Sequence, residues 1–303
     1  MAAESLRRIV GVAVAEWGIA IRSRRVLVVT LLFVAVAALV MYATLAFFSA
    51  LEQAVAESLS LPDSASPGSM AAALWQSPPF LRAMRHFARG SLVFDDLVGR
   101  HPVHLAYAFF MFNVVPLLTL LMAAPRIADD VRGGSARYFL MRVTRTEWTL
   151  GKFLGESWLL AAAMGVGTLA AWAMALIELP PAEAAGLLPG ICEWMVRAWV
   201  YAFAWLGLFL ALSHLPRSGG KATVLGILAM MAAVVWPRAL AKLVAACPAL
   251  GWTEALDLFA PQTAQALLWR RSPAAIFQGV VTLGALAFFY LALGAAVFRR
   301  RDV

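Results

Sequence analysis

The stretch RIADDVRGGSARYFLMRVTRTEWTLGK, residues 126–152, sets a charged segment between two long apolar runs. Inside it, Gly133-Gly134-Ser135 predicts a sharp break in the chain, and residues 136–143 after the break can form a short helix. Thr144-Arg145-Thr146-Glu147 then has the pattern of a capping box, which predicts a new helix from about Arg145. A short helix beside the extended end of a membrane span would act as a lever. The alternative is an ordinary basic loop.

Composition places the chain in a membrane. Of its 303 residues, 62% are hydrophobic and 14% are charged, and the mean hydropathy is +0.79. Soluble proteins have roughly 45–50% apolar and 25% charged residues. The net charge of +8 fits basic groups that flank spans and face anionic headgroups, so we do not expect nucleic-acid binding. The sequence predicts an all-α integral membrane protein with a single transmembrane domain over residues 1–303.

Six apolar runs are long enough to cross a hydrocarbon core of about 30 Å as helices. The fourth carries Glu193 and Arg197, whose i,i+4 spacing predicts an ion pair. The fifth contains Pro237, so it either ends there or continues with a kink to Ala246. The predicted spans are residues 26–48, 103–124, 153–177, 191–213, 222–246 and 274–298.

Residues 2–22 predict an amphipathic helix with a basic face, of the kind that lies in the membrane interface. Packing of this helix on another protein surface is the alternative. Its apolar side consists of Leu6, Ile9, Val10, Ala13, Val14, Trp17, Ala20 and Ile21, and its other side of Arg7, Arg8, Gly11 and Arg22.

The distribution of Lys and Arg predicts the orientation. Basic residues concentrate in the short segments on the side of the N-terminus, and residues 178–190 contain none. The positive-inside rule therefore predicts that both termini are cytoplasmic. Residues 49–102 are then an outer loop with a flexible link at 61–69 and an interfacial amphipathic helix at 80–89. Residues 247–273 form a second outer segment.

A nucleotide site on this chain is not expected. Gly219-Gly220-Lys221 resembles the end of a phosphate-binding loop. However, Leu215 stands where the first glycine is needed, and Ala222 stands where Ser or Thr would coordinate magnesium. We therefore expect no cofactor on this chain.

A metal site is not expected either. Cys192 and Cys247 are too few and too far apart for a metal knuckle or a disulfide scaffold. His86, His101 and His104 come without a Cys or carboxylate cluster at ligand spacing.

A family resemblance rests on the layout and on two short segments. The six spans, the amphipathic N-terminal helix, Arg145-Thr146-Glu147 with Gly151-Lys152, and the terminal Phe298-Arg299-Arg300-Arg301-Asp302 resemble the permease subunit of an ABC transporter of the ABC-2 type. Within that family the chain looks most similar to the permease that serves nitrous oxide reductase maturation. The family's acidic residue is matched by Asp129 or Asp130, its Gly-Thr by Gly133-Gly134, and its Ser-Arg by Thr144-Arg145, while Arg142 stands where the family has a proline.

The resemblance implies an exporter of the bacterial inner membrane. Two permease subunits would enclose a path, and a homodimer is the arrangement we expect. Two cytoplasmic ATPase subunits that bind ATP and Mg²⁺ would hold the coupling helix between spans 2 and 3. Tyr138, Phe139 and Met141 would be the buried anchors of that contact. The coupling candidates are Asp129, Asp130, Arg137, Tyr138, Phe139, Met141, Arg142, Arg145, Glu147 and Lys152; the path candidates are Asn113, Pro116, Gln278 and Thr282.

The residues themselves fit an external energy source. No predicted span carries Asp, Glu, Lys or Arg near its centre, which disfavours an ion-driven carrier. One alternative is a non-transporting membrane scaffold. Another is an intramembrane enzyme that uses Asp129-Asp130 or Ser157, but the second acidic cluster and the histidine partner are missing, so we do not expect an enzyme. Glycines expected to permit close helix packing are Gly165, Gly167, Gly279, Gly284 and Gly294.

Overall fold

The computed structural model describes residues 2–58, 91–246 and 258–299, with single positions at 75, 78, 81, 82 and 85. The predictions for the link at 61–69, for most of the amphipathic stretch at 80–89, for His86 and Cys247, and for the residues after Arg299 lie outside this description. Within the described ranges every regular element is helical.

The helices follow the apolar runs and extend them into the flanking polar segments. They are α1 Ala2–Arg22, α2 Arg24–Ser58, α3 Ser91–Leu97, α4 Pro102–Ala123, α5 Arg126–Gly133, α6 Ser135–Leu140, α7 Arg145–Glu178, α8 Pro181–Ser213, α9 Gly219–Ala246, α10 Pro261–Leu268 and α11 Pro273–Arg299.

Six of these helices, α2, α4, α7, α8, α9 and α11, are long and apolar enough to cross a membrane. The prediction of an all-α membrane protein with six spans is therefore confirmed. The fifth span, α9, does not end at Pro237 but continues as a helix to Ala246. Of the two possibilities left open by the sequence, the helix continues past Pro237, and the kink there stays a prediction.

Helix α8 lies at the centre of the bundle and packs against α4, α7 and α11. Its aromatic side chains Trp194, Tyr201, Trp205 and Phe209 are fully buried, and Phe112 of α4 packs on two of them. Helices α1 and α2 pack on the opposite side, mainly against α7. Helix α9 is peripheral, because only 17% of the residues in its apolar stretch Gly219–Trp236 are buried.

Successive spans run in opposite directions, so the elements sort to two ends of the bundle. At one end, called the proximal end here, lie α1, α5, α6, the start of α7 and the end of α11, because Arg145 contacts Phe298. At the other, the distal end, lie α10 and the starts of α4 and α8, because Arg100 pairs with Glu193. The described beginning and end of the chain are thus on the same side.

Close helix packing occurs at some of the expected glycines. A Cβ on Gly294 would lie 2.7 Å from the Ala211 Cα, and a Cβ on Gly167 would lie 2.4 Å from the Phe33 ring. Gly279 likewise approaches α10. Gly165 and Gly284 face open space instead, so the prediction of close packing at these two glycines is wrong. Gly207, which was not expected, lies against the backbone of Ala287.

Candidate functional site

The segment at residues 126–152 folds into a hinge between short helices. Gly134 adopts φ 74°, a left-handed conformation that glycine tolerates best, and it ends α5 and starts α6. Four residues after the end of α6, the Thr144 side chain accepts a hydrogen bond of 3.2 Å from the Glu147 N–H. The Glu147 carboxylate accepts one of 2.8 Å from the Thr144 N–H. The predicted break and the capping box that starts α7 are both confirmed.

Helix α6 presents a mixed apolar and basic surface. Tyr138 is 75% exposed and Met141 is 78% exposed, and Arg137 and Arg142 beside them are also exposed. We call these four residues the α6 patch. Phe139 is only half-exposed because it packs against the core. Of the three predicted anchors, two face outward and one stabilises α6 against the bundle.

Beneath this patch, Lys152 is buried between two carboxylates. Its ammonium forms ion pairs with Glu16 of α1 and with Asp130 of α5, and the residue is 1% exposed. Three elements therefore meet at one cation. Lys152 had been predicted to couple to an ATPase, but a residue buried this deeply cannot touch a docking partner. Any part it has in coupling acts through α1 and α5.

A second buried pair lies alongside the first. The Arg126 Nε forms an ion pair with Glu156 Oε1 at 2.6 Å, and Glu156 is fully buried. We call the five residues Glu16, Arg126, Asp130, Lys152 and Glu156 the proximal charge network. It contains three acidic and two basic groups. In a low-dielectric interior such charges interact strongly, and removal of one partner leaves another charge uncompensated.

The close approach of α1 to α7 brings Glu16 into the network. A Cβ on Gly151 would lie 2.5 Å from the Val12 Cβ, and one on Gly155 would lie 2.9 Å from the Glu16 Cβ. Gly151 and Gly155 form a G-x-x-x-G motif, whose small residues let two helix backbones come close. The absence of side chains at these two positions therefore sets the distance between α1 and α7.

Helix α1 uses both of its sides. It packs on α7 through Val12, Ala13, Glu16 and Ala20, which are buried. Leu6, Val10, Val14 and Ile21 of the predicted apolar side are exposed. The sequence grouped these residues with Ala13 and Ala20, but the structure separates them and adds Glu16 to the buried side. The expected contact of the exposed apolar side with lipid stays a prediction.

Helix α5 is also tied to the opposite side of the bundle. The Asp129 carboxylate accepts a hydrogen bond of 3.1 Å from the Gly219 N–H at the start of α9. The Ala128 N–H donates to Ser213 Oγ at the end of α8, also at 3.1 Å. Since Asp130 pairs with Lys152, two adjacent carboxylates connect α5 to different helices: Asp129 to α9 and Asp130 to α7. A displacement of α5 would therefore strain contacts to α1, α7, α8 and α9 together.

The first turn of α7 is fixed to the end of α11. The Arg145 guanidinium donates to the Phe298 carbonyl at 2.5 Å and lies 5.1 Å from the centre of the Phe298 ring. Trp148, which is fully buried, stacks on the same ring at 5.7 Å. Arg145 and Glu147 thus stabilise the local structure.

The predicted coupling residues therefore divide into two groups. Arg137, Tyr138, Met141 and Arg142 form a surface, whereas Asp129, Asp130, Phe139, Arg145, Glu147 and Lys152 hold the helices beneath it. The sequence interpretation missed Glu16, Arg126 and Glu156. A useful signal was present in the G-x-x-x-G motif next to Lys152, together with single acidic residues in otherwise apolar helices.

The predicted path residues lie on two helices. On α4, Asn113 is exposed and donates to the Phe109 carbonyl of its own helix at 2.7 Å, and Pro116 is buried. On α11, Gln278 is exposed and Thr282 is partly buried. Their role in a transport path stays a prediction.

A different charged group lies at the distal end. The Glu193 carboxylate pairs with Arg197 of the same helix, as predicted, and with Arg100 at 3.2 Å. Arg197 also donates to the carbonyls of Leu268 and Arg270. Both guanidinium groups lie over the Trp194 ring, at 5.1 Å and 4.8 Å. We call Arg100, Glu193 and Arg197 the distal charge network.

Histidines near this network add little charge. Burial lowers the pKa of His101, which disfavours its charged form. Its ring lies 5.3 Å from that of His104, and His104 Nε2 contacts the Leu187 carbonyl at 3.1 Å. Among the described residues, no group of three His, Cys, Asp or Glu side chains is placed to hold a metal ion.

Comparison with known proteins gives one match. The model of a family described as ABC-2 family transporter protein matches residues 11–303, which is nearly the whole chain. The comparison with curated proteins gives no match.

Proposed function

Because the chain belongs to the ABC-2 family of transporter proteins, we propose that it is the membrane subunit of an ATP-driven exporter and is coupled to a separate ATPase through the α6 patch. A protein of this family is a membrane component of transport and is not itself the catalyst. The two cytoplasmic ATPase subunits would supply the ATP and Mg²⁺ chemistry.

The observation that carries the coupling proposal is the exposure of Tyr138 and Met141 in the α6 patch. Large apolar side chains flanked by Arg are enriched at the centres of protein interfaces. Helix α6 also follows the hinge at Gly134, so a partner that grips it applies force to α5. Through Asp130 and Lys152, that force would reach α1 and α7.

A contact in the fold supports a separate ATPase. Gly219-Gly220-Lys221, the nearest approach to a phosphate-binding loop, has the Gly219 N–H bonded to Asp129. A carboxylate therefore takes the place that a phosphate oxygen would need. The segment serves as the start of α9 and as an attachment for α5.

The span count supports the proposal of a second permease subunit. The chain has no internal repeat to supply the other half of a path, and six spans would form one half. We propose a homodimer in the bacterial inner membrane, surrounded by lipid, with both termini in the cytoplasm. The exposed polar residues Asn113 and Gln278 would then face the shared path.

We assign no cargo. The narrower likeness to the permease of nitrous oxide reductase maturation has no support from the comparisons. A non-transporting scaffold with the same layout is the second candidate for the function, and it would bind partners without coupling their ATP hydrolysis to movement.

The test is a double substitution, Tyr138→Ala with Met141→Ala. Interface anchors of this kind cost on the order of 2 kcal/mol or more each when truncated, so the variant should lose most of the copurifying ATPase. The matched control is Tyr42→Ala, because Tyr42 is an exposed tyrosine on α2 outside the patch. Phe139 is left unchanged since it packs inward.

ATPase copurification and nucleotide turnover in membranes are measured for each variant. The proposal fails if the double variant keeps its partner and full transport-coupled turnover. An ATPase that binds this chain but turns over nucleotide at the same rate without it would instead favour the scaffold.

A further inference from the structure

A cavity of about 220 Å³ lies where α1 turns into α2, above the junction of α4 and α5. A single buried water needs only roughly 10–15 Å³, so the space is large enough for a bound group. Charged residues of α1, α2, α5 and α7 line one part, the carboxylates of Glu16, Asp129 and Asp130 among them, and apolar residues of α2 and α4 line another. The cavity therefore has the mixed character of a site for an amphiphile.

Two buried polar atoms at this cavity take no part in a hydrogen bond or in the closest contact of an ion pair among the described residues. One is Arg126 Nη2, a donor, although Nε of the same guanidinium pairs with Glu156. The other is Glu16 Oε2, an acceptor, on a side chain that is 1% exposed. Buried polar groups are nearly always hydrogen-bonded, because an unmade bond costs free energy. A ligand that satisfies both atoms must carry an acceptor and a donor.

The charges at the cavity restrict the chemical class of the ligand further. Arg25 lies at the same cavity and is exposed, so two guanidinium groups are available to an anionic oxygen. Arginine recognises phosphate well because its planar donors match two oxygens. Glu16 in turn offers a carboxylate to a cation. A zwitterion with a phosphate and an ammonium group meets both needs.

The apolar lining indicates a lipid. Val26 and Val29 of α2 and Leu121 and Met122 of α4 border the cavity. Each lies farther along its span from the proximal end than the charged residues do, so in a membrane these side chains are nearer to the acyl chains. A headgroup at the charged part would place its glycerol and chains along the apolar part.

We propose that this cavity binds the headgroup of a zwitterionic phospholipid with a primary ammonium, as in phosphatidylethanolamine. The phosphate accepts hydrogen bonds from Arg126 and Arg25, and the ammonium donates to Glu16. A choline headgroup has no N–H to donate, so it leaves the Glu16 oxygen unsatisfied. The bound lipid would hold α1, α2 and α5 together at the proximal end. This site does not depend on the proposed transport function.

The experiment is native mass spectrometry of the purified full-length protein in detergent. Phosphatidylethanolamine, phosphatidylcholine and phosphatidylglycerol with the same acyl chains are titrated in turn. We expect phosphatidylethanolamine to bind about tenfold more tightly than phosphatidylcholine, the size of one hydrogen bond to a charged group. In the Glu16→Gln variant that preference should fall to nearly one.

A matched pair of arginines provides the control. Arg24 and Arg25 are consecutive, exposed and at the start of the same helix, but of the two only Arg25 lines the cavity. Arg25→Gln should weaken phosphatidylethanolamine binding about fivefold, and Arg24→Gln should change it little. Neither substitution touches the buried ion pairs, so both variants should fold.

Three outcomes overturn the proposal. Equal binding of the ethanolamine and choline lipids to the unmodified protein would mean that water satisfies Glu16. Equal effects of Arg24→Gln and Arg25→Gln would mean nonspecific attraction at the surface. Binding of soluble O-phosphoethanolamine as tight as that of the lipid would identify the site as one for a soluble zwitterion.

Discussion

Glu16 and Lys152 at the proximal end are almost completely buried, whereas Glu193 at the distal end leaves 39% of its side chain exposed. The partners differ as well. Arg197 is held by two backbone carbonyls and by the Trp194 ring in addition to its carboxylate. Lys152 has two carboxylates from separate helices and a contact with the Trp148 ring.

This difference shows what each group can do. The distal charges also contact neutral groups, and Glu193 is partly exposed to solvent, so small movements of the helices should change their energy little. The proximal charges depend on one another across α1, α5 and α7. A shift of one helix there would expose a buried charge or separate it from its ion-pair partner. This cost couples the positions of the three helices. The proximal network therefore suits the transmission of movement.

The largest expected effect comes from Lys152→Met, which leaves Glu16 and Asp130 without their shared cation. Breaking a buried ion pair in this way typically costs about 3–5 kcal/mol. We expect low yields of folded protein and a large drop in the thermal unfolding midpoint of the detergent-purified chain. Arg137→Met, in the exposed α6 patch, is the control and should have almost no effect.

Neutralising Lys152 together with both of its carboxylate partners sharpens this test. The triple variant Glu16→Gln, Asp130→Asn and Lys152→Met removes one cation and two anions together, so only the Arg126–Glu156 pair remains charged. Because no carboxylate is then left unpaired, most of the lost stability should return. Equal stability of Lys152→Met and Arg137→Met would show that the proximal network does not hold α1, α5 and α7 together.

The two networks also differ in how far the sequence predicts them. Glu193 and Arg197 are one turn apart on one helix, as are the partners of the capping box at Thr144 and Glu147, so local spacing was enough. Six apolar runs likewise predicted the spans. Each of these features is decided by residues that are close in the chain.

The proximal network could not be read in the same way. Glu16 and Lys152 belong to helices far apart in sequence, and helical periodicity shows which face is apolar but not what that face meets. Lysines in polar segments are mostly exposed, so Lys152 was placed on a docking surface. Its burial follows from the missing side chains at Gly151 and Gly155, a tertiary effect.

A smaller effect is expected from Gly151→Ala, which tests whether close helix contact sets up the network. The new Cβ would lie 2.5 Å from that of Val12, and overpacking of this kind costs about 1–3 kcal/mol. Gly165→Ala is the matched control on the same helix, since a Cβ there meets nothing within 4 Å.

Helix propensity makes the contrast sharper. Alanine is favoured over glycine inside a helix by about 1 kcal/mol, so Gly165→Ala should be neutral or stabilising. The thermal unfolding midpoints of the two variants in one detergent give the comparison. If both substitutions stabilise equally, α1 is not held by contact at Gly151.

The smallest effect should come from Glu193→Gln at the distal end. This change removes the anion shared by Arg100 and Arg197, but both guanidinium groups keep the Trp194 ring, and Arg197 keeps its bonds to Leu268 and Arg270. Because the Glu193 side chain is 39% exposed, water screens the lost pair. The cost should be about 1 kcal/mol or less, visible as a shift of a few degrees at most in the same unfolding assay. A loss as large as that of Lys152→Met would mean that the distal charges are as interdependent as the proximal ones, and the contrast between the two ends would not hold.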